Sequence, residues 1–147
     1  MKKLACILFL LLPSTALPVE WEEETVVSSC VLAMTVTAQP FTADDVAGIA
    51  VIELTLRDKE GAPLPGVTME MSANCGTFMC RLPDDPKPED EDEERACFRT
   101  KDNGIARLYL TNIPFNAAAK VKAQCDCGDY LVNATGSLMI TKKRTVK

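Results

Sequence analysis

Apolar and polar residues alternate with period two through most of this chain, and no long stretch repeats with a helical period. In "CVLAMTVT" the side chains of Cys30, Leu32, Met34 and Val36 share one face, and Ala33, Thr35 and Thr37 share the other. "AVIELTLR" is the cleanest case. Ala50, Ile52, Leu54 and Leu56 turn inward against Val51, Glu53, Thr55 and Arg57. "VTMEMSANC" places Val67, Met69, Met71, Ala73 and Cys75 on one side. "AAAKVKAQCDC" sets Ala119, Val121, Ala123, Cys125 and Cys127 against Lys120, Lys122, Gln124 and Asp126. Ile105 to Leu110 form another run, and "YLVNATGSLMIT" gives a final strand or pair, interrupted near Gly136.

Turn signals separate these runs. In "RDKEGAPLPG" Asp58 and Gly61 suit a turn, while Pro63 and Pro65 stop strand pairing and stiffen the connection. Asp102-Asn103-Gly104 precedes the Ile105 run, and Gly128-Asp129 reverses the chain before Tyr130. "FTADDVAGIA" reads as a polar loop between strands, and no segment reads as a helix. Short strands with turns about every ten residues predict an all-β fold. The expected architecture is an antiparallel immunoglobulin-like β-sandwich of about seven strands, spanning residues 30–141.

The ends change the picture. "MKKLACILFLLLPSTALP" carries Lys2 and Lys3, an apolar run from Leu4 to Leu12, and Ser14-Thr15-Ala16 as a small-residue cleavage signal. The run is shorter than the ~20 residues of a spanning helix, and Pro13 argues against an uncleaved anchor. Residues 1–16 are therefore expected to be a signal peptide cut near Ala16. Residues 17–29 form a lead containing Trp21, and 142–147 a basic tail. No second long apolar segment follows, so no membrane span is expected in the mature chain. The predicted location is the periplasm or the cell exterior.

Without Cys6, six cysteines remain: Cys30, Cys75, Cys80, Cys97, Cys125 and Cys127. An even set in a small exported chain reads as a disulfide framework, for which six thiols allow fifteen pairings. Metal binding is the competing reading. The sequence lacks histidine and any Cys-x-x-Cys pair, which opposes it. Cys75 and Cys80 are also too widely spaced for a redox motif.

The formal charge of −5 falls to −7 once Lys2 and Lys3 leave. "DDPKPEDEDEER", Asp84 to Arg95, holds eight acids and two bases, a net of −6, so the remainder is close to neutral. Neither nucleic acid nor an anionic membrane surface is expected as a partner on that ground. This acidic stretch, loop 83–96, is expected to be solvated. Calcium on Asp84, Asp85, Glu89, Asp90 and Asp92 is the alternative, although EF-hand spacing is absent. Docking on a cationic partner is the third reading.

The lack of histidine removes the usual general base and most nucleophile dyads, and no glycine-rich phosphate loop is present. A non-enzymatic protein without a cofactor is expected. Asn133-Ala134-Thr135 fits a glycosylation acceptor by pattern alone.

The stretch "MTVTAQPFTADDVAGIAVIELTLRDKEGAPLPGVTMEMSANCGTF", followed by "FRTKDNGIARLYLTN" and "AAKVKAQC", resembles the bacterial immunoglobulin-like group 1 domain, the repeat of invasin and intimin surface proteins. The likeness runs from Met34 to about Gln124. Asp-x-x-Gly-x-Pro-x-x-Gly, here Asp58 to Gly66, also occurs in prealbumin-like sandwiches. The group 1 repeats are cysteine-poor and arranged in tandem, whereas this chain has one copy and, once Cys6 leaves with the expected signal peptide, six cysteines. Under that resemblance Asn133 is not a glycosylation site. If the first and last strands are neighbours as in such sandwiches, Cys30 bridges to Cys125 or Cys127. Cys125 and Cys127, two apart on one strand, take different partners. One bridge among Cys75, Cys80 and Cys97 would clamp the acidic stretch, and "CGTFMC" could close as a small loop. The resemblance implies a structural or adhesive module of an envelope or extracellular assembly, acting on a protein partner.

Overall fold

A computed structural model describes residues 30–86 and 95–143. The expected signal peptide, the lead with Trp21, and Glu89, Asp90 and Asp92 lie outside them. Seven strands form in chain order: β1 (Cys30–Ala38), β2 (Gly48–Asp58), β3 (Glu70–Ala73), β4 (Thr77–Met79), β5 (Ile105–Ile113), β6 (Ala118–Cys127) and β7 (Tyr130–Met139). One sheet has the order β1-β2-β5-β4 and the other β3-β6-β7, with every pairing antiparallel. That order is the constant-type immunoglobulin arrangement, so the expected sandwich is the observed fold.

The alternation sets the core. Ala50, Ile52, Leu54 and Leu56 of β2 and Leu108 and Leu110 of β5 are fully buried. They face Ala119, Val121, Ala123 and Cys125 of β6 and join them in one cluster. Leu32, Met34 and Val36 of β1, an edge strand, are only half covered. No buried side-chain nitrogen or oxygen among the described residues lacks a hydrogen-bond partner.

Four details differ from the sequence reading. β5 continues past Leu110 to Ile113, because the pairing register with β2 shifts by one between Ala50 and Gly48. Asn112, at φ 56°, absorbs the extra residue and returns Ile113 to the core. Next, β7 is continuous through Gly136, so the expected interruption is absent. A Cβ there would stand 2.6 Å from Val36 Cγ2, and the glycine instead lets β7 lie close against β1 across the two sheets. Third, Pro63 does not end pairing. It makes an isolated bridge to Arg57, and the Leu64 amide donates to the Leu56 carbonyl. Finally, a single 3-10 turn forms at Ala96–Phe98 where no helix was expected.

The turns obey their chemistry. Gly128, at φ 65°, takes the first central position of the two-residue β6–β7 hairpin, where a type II′ turn places glycine. Asp58 Oδ1 accepts the amides of Glu60 and Ala62, folding "RDKEGA" back on itself. Lys142, assigned to the basic tail, is bound into the fold. Its Nζ donates to the Ala43 and Asp45 carbonyls and lies 4.8 Å from the Phe115 ring centre.

Candidate functional site

Two disulfides organise the chemistry of this surface. Cys30 opens β1 and Cys127 closes β6, and alternation points both side chains inward at the same end of the sandwich. They are bridged across the sheets with a Cα separation of 6.0 Å, within the usual range. Antibody domains bridge their second and sixth strands; here the first and sixth are joined. Cys30 therefore takes Cys127, one of the two partners expected for it.

The second bridge joins Cys80, just after β4, to Cys97 in the 3-10 turn, with Cα atoms 5.2 Å apart. Cys97 is placed by a short ladder on its C-terminal side. The Met69 amide donates to the Phe98 carbonyl, Gly66 to Thr100, and Thr100 to Val67. The buried Thr100 hydroxyl donates to the Leu64 carbonyl at 2.7 Å and accepts the Val67 amide at 2.9 Å. This frame holds both ends of the acidic stretch, as expected of a bridge among Cys75, Cys80 and Cys97. It also corrects one reading: Cys80 is taken by Cys97, so "CGTFMC" does not close on itself.

Cys75 and Cys125 carry no bridge, which corrects the expectation of a fully paired set of six. The geometry explains why. Ala73 pairs with Val121, so Cys75 lies two residues to one side of that pair and Cys125 four residues to the other. Six residues of extended chain separate them by about 20 Å, whereas a disulfide needs Cα atoms closer than about 7 Å. Cys125 is buried beside Val121 and Ala123, and burial, followed by the Asp126 carboxylate, pushes its thiol pKa up. A buried thiol that holds its proton is a poor nucleophile, so the buried cysteine does not furnish a redox centre.

The described part of the acidic stretch is a turn. Asp85 Oδ2 accepts the Leu82 amide at 2.8 Å, the Asp85 amide donates to the Leu82 carbonyl, and Arg81 reaches the Pro86 carbonyl. Asp84 and Asp85 are exposed, and Asp85 already uses one oxygen on this turn. Among the described residues no group of three or more acidic, cysteine or histidine side chains converges as a metal site would require.

Two open grooves mark the described surface. One, of roughly 880 Å³, runs along Thr68, Arg95, Phe98, Arg99 and Lys101, so three cations line the wall beside the acidic stretch. The sequence carries a signal for this wall: Arg99 and Lys101, two apart on extended chain, share a face opposite the buried Thr100. The other, of roughly 430 Å³, crosses the outer face of the β3-β6-β7 sheet over Lys120, Lys122, Ser72, Asn74, Thr135 and Ser137. Neither groove presents a hydroxyl held by a base. The buried hydroxyls of Thr100 and Thr111 donate to the backbone carbonyls of Leu64 and Thr77.

No family model, curated protein or solved structure matches this chain. Among the described residues, no helix is long and apolar enough to cross a membrane. The two disulfides point to an oxidising compartment.

Proposed function

We propose that this protein is an exported, non-enzymatic immunoglobulin-like module. It serves as a structural or adhesive part of a bacterial envelope or extracellular assembly and acts by protein–protein contact. The observation that carries the reading is the Cys80–Cys97 bridge, which fixes both ends of a twelve-residue stretch of net charge −6 on a rigid sandwich. Charge gathered at one clamped point speeds encounter with a cationic partner surface. The resemblance to the group 1 repeats supports the same role, as does the secretion-type start of the chain.

The experiment is capture from the native envelope, followed by binding at increasing ionic strength. The intact protein is expected to retain an envelope partner whose affinity falls with salt. Replacing the acids from Asp84 to Glu94 by their amides is expected to abolish that retention while leaving the melting temperature unchanged. Recovery of the protein alone, or equal retention by the amide variant, would reject the reading. Calcium is tested in parallel by titration calorimetry: no heat and no shift in melting temperature are expected. A thiol–disulfide role is disfavoured by the distance between Cys75 and Cys125 and by the burial of Cys125.

A further inference from the structure

The cationic groove beside the Cys80–Cys97 bridge combines two kinds of lining. Met69, 3% exposed, and the half-buried Phe98 give it an apolar floor, and Arg95, Arg99 and Lys101 stand exposed around that floor. The isolated bridge between Thr68 and Arg99 fixes this wall to the chain entering β3. Among the described residues none of the three cations has an ion-pair partner. Unpaired cations over apolar surface fit an acidic segment that also carries a large apolar side chain.

The sequence holds two acidic segments. Asp84 to Glu94 has acids in plenty, but prolines are its only apolar residues, so it leaves the floor uncovered. The N-terminal lead, residues 17–29, sets Glu20, Glu22, Glu23 and Glu24 around Trp21 and contains no basic residue. We infer that the groove receives this lead, with Trp21 over Phe98 and Met69 and the glutamates on Arg95, Arg99 and Lys101.

Spacing agrees with this occupant. Glu22 and Glu24 are two apart, as are Arg99 and Lys101, so extended chain brings both ion pairs together at a repeat of about 7 Å. Reach agrees as well. Cys30 pairs with Asp58, the Leu56 amide donates to the Gly104 carbonyl, and the Gly104 amide donates to the Lys101 carbonyl. The lead therefore joins β1 at the end of the sandwich where Lys101 lies. Two strand spacings, about 10 Å, separate β1 from β5 there, whereas the nine residues from Trp21 to Cys30 span up to about 30 Å. Burial of the indole supplies most of the attraction, because exposed ion pairs contribute little each. The ion pairs select which segment enters. This contact uses the cationic groove and does not depend on what the acidic stretch binds.

Trp21 is the only tryptophan of the chain, so its fluorescence reads the contact directly. In the exported chain, both bridges intact, its emission is expected to lie to the blue of a water-exposed indole and to resist quenching by acrylamide. Rising salt should redden it. Arg99→Glu with Lys101→Glu should lower the docked-to-free ratio at least about tenfold, moving emission and quenching to those of a free tryptophan peptide. Both side chains are exposed, so far-ultraviolet dichroism should not change. Glu22→Lys with Glu24→Lys lies outside the sandwich and should release Trp21 equally. All four substitutions together should restore the shielding, because each pair is then reversed as a whole. Amides in place of the acids from Asp84 to Glu94 should leave Trp21 shielded. A wild type with a water-exposed Trp21, a charge-reversed groove that still shields it, a fourfold variant that stays released, or release by the amide variant would overturn the inference. Shielding that is lost on dilution would do so too, since it would seat the lead in a second copy.

Discussion

Thr100 is 3% exposed, and its hydroxyl serves two backbone groups, the Leu64 carbonyl and the Val67 amide. Thr100→Val keeps the shape and removes both bonds, leaving a part-buried carbonyl and amide without this partner. The expected loss is about 1–3 kcal/mol by chemical denaturation. Cys125 offers a second residue-scale test. Its thiol pKa lies above the ordinary value because of burial and then the Asp126 charge, so the folded state holds that proton more tightly than the unfolded one. Stability from this source is complete below the unfolded thiol pKa of about 8.5 and is lost as pH rises through the folded value. Melting temperature measured upward from neutral pH should therefore fall more steeply for wild type than for Cys125→Ala. In the native protein a thiol reagent should label the half-exposed Cys75 and spare Cys125 until denaturant is added. At this scale the sequence was highly legible. Alternation placed Ala50 to Leu56 and Ala119 to Cys127 on the core side, as observed. Thr100 was not legible, because its partner carbonyl lies 36 residues away.

Among the elements, strands long enough to alternate could be recognised, and those that could not alternate were missed. β4 has three residues and exists because β5 offers Leu110 and its neighbours as a template. The end of β5 was hidden because the bulge at Asn112 puts Ile113 out of phase with Leu110. Gly136 was misread for a related reason: glycine within a strand pattern marks either an interruption or a close approach, and the sequence does not say which. The structure chooses the close approach, with Val36 Cγ2 at 2.6 Å and Met34 Sδ at 3.0 Å from a built Cβ. Gly136→Ala should therefore overpack the seam between β1 and β7 and cost about 1–3 kcal/mol, since Val36 has no flexible end to move aside. Calorimetric melting of the variant decides this. An unchanged melting temperature would mean that β1 yields freely and that the seam is not tightly packed.

For the molecule as a whole, strand neighbours and disulfide partners are properties of topology, and local pattern does not encode them. Cys30 and Cys127 stand 97 residues apart and meet only because β1 and β6 end at one edge of the sandwich. Closing so long a loop restricts the unfolded chain by about 4–5 kcal/mol, against about 3 kcal/mol for the 17-residue separation of Cys80 and Cys97. The two bridges differ in access as well. Cys30 and Cys127 are 1% and 6% exposed, while Cys80 and Cys97 are half-buried at the surface. Thiolate attack requires an approach to sulfur, so graded reduction should open Cys80–Cys97 first. Alkylation and intact mass would then show two added groups on that pair while the near-ultraviolet dichroism of the folded core persists. Cys30–Cys127 should open only as the sandwich itself unfolds, with its reduction rate rising in denaturant alongside the loss of dichroism. Simultaneous reduction of both bridges in a fully folded protein would show that sulfur at the β1–β6 end is reached without unfolding. The two sheets would then not be held shut by that bridge.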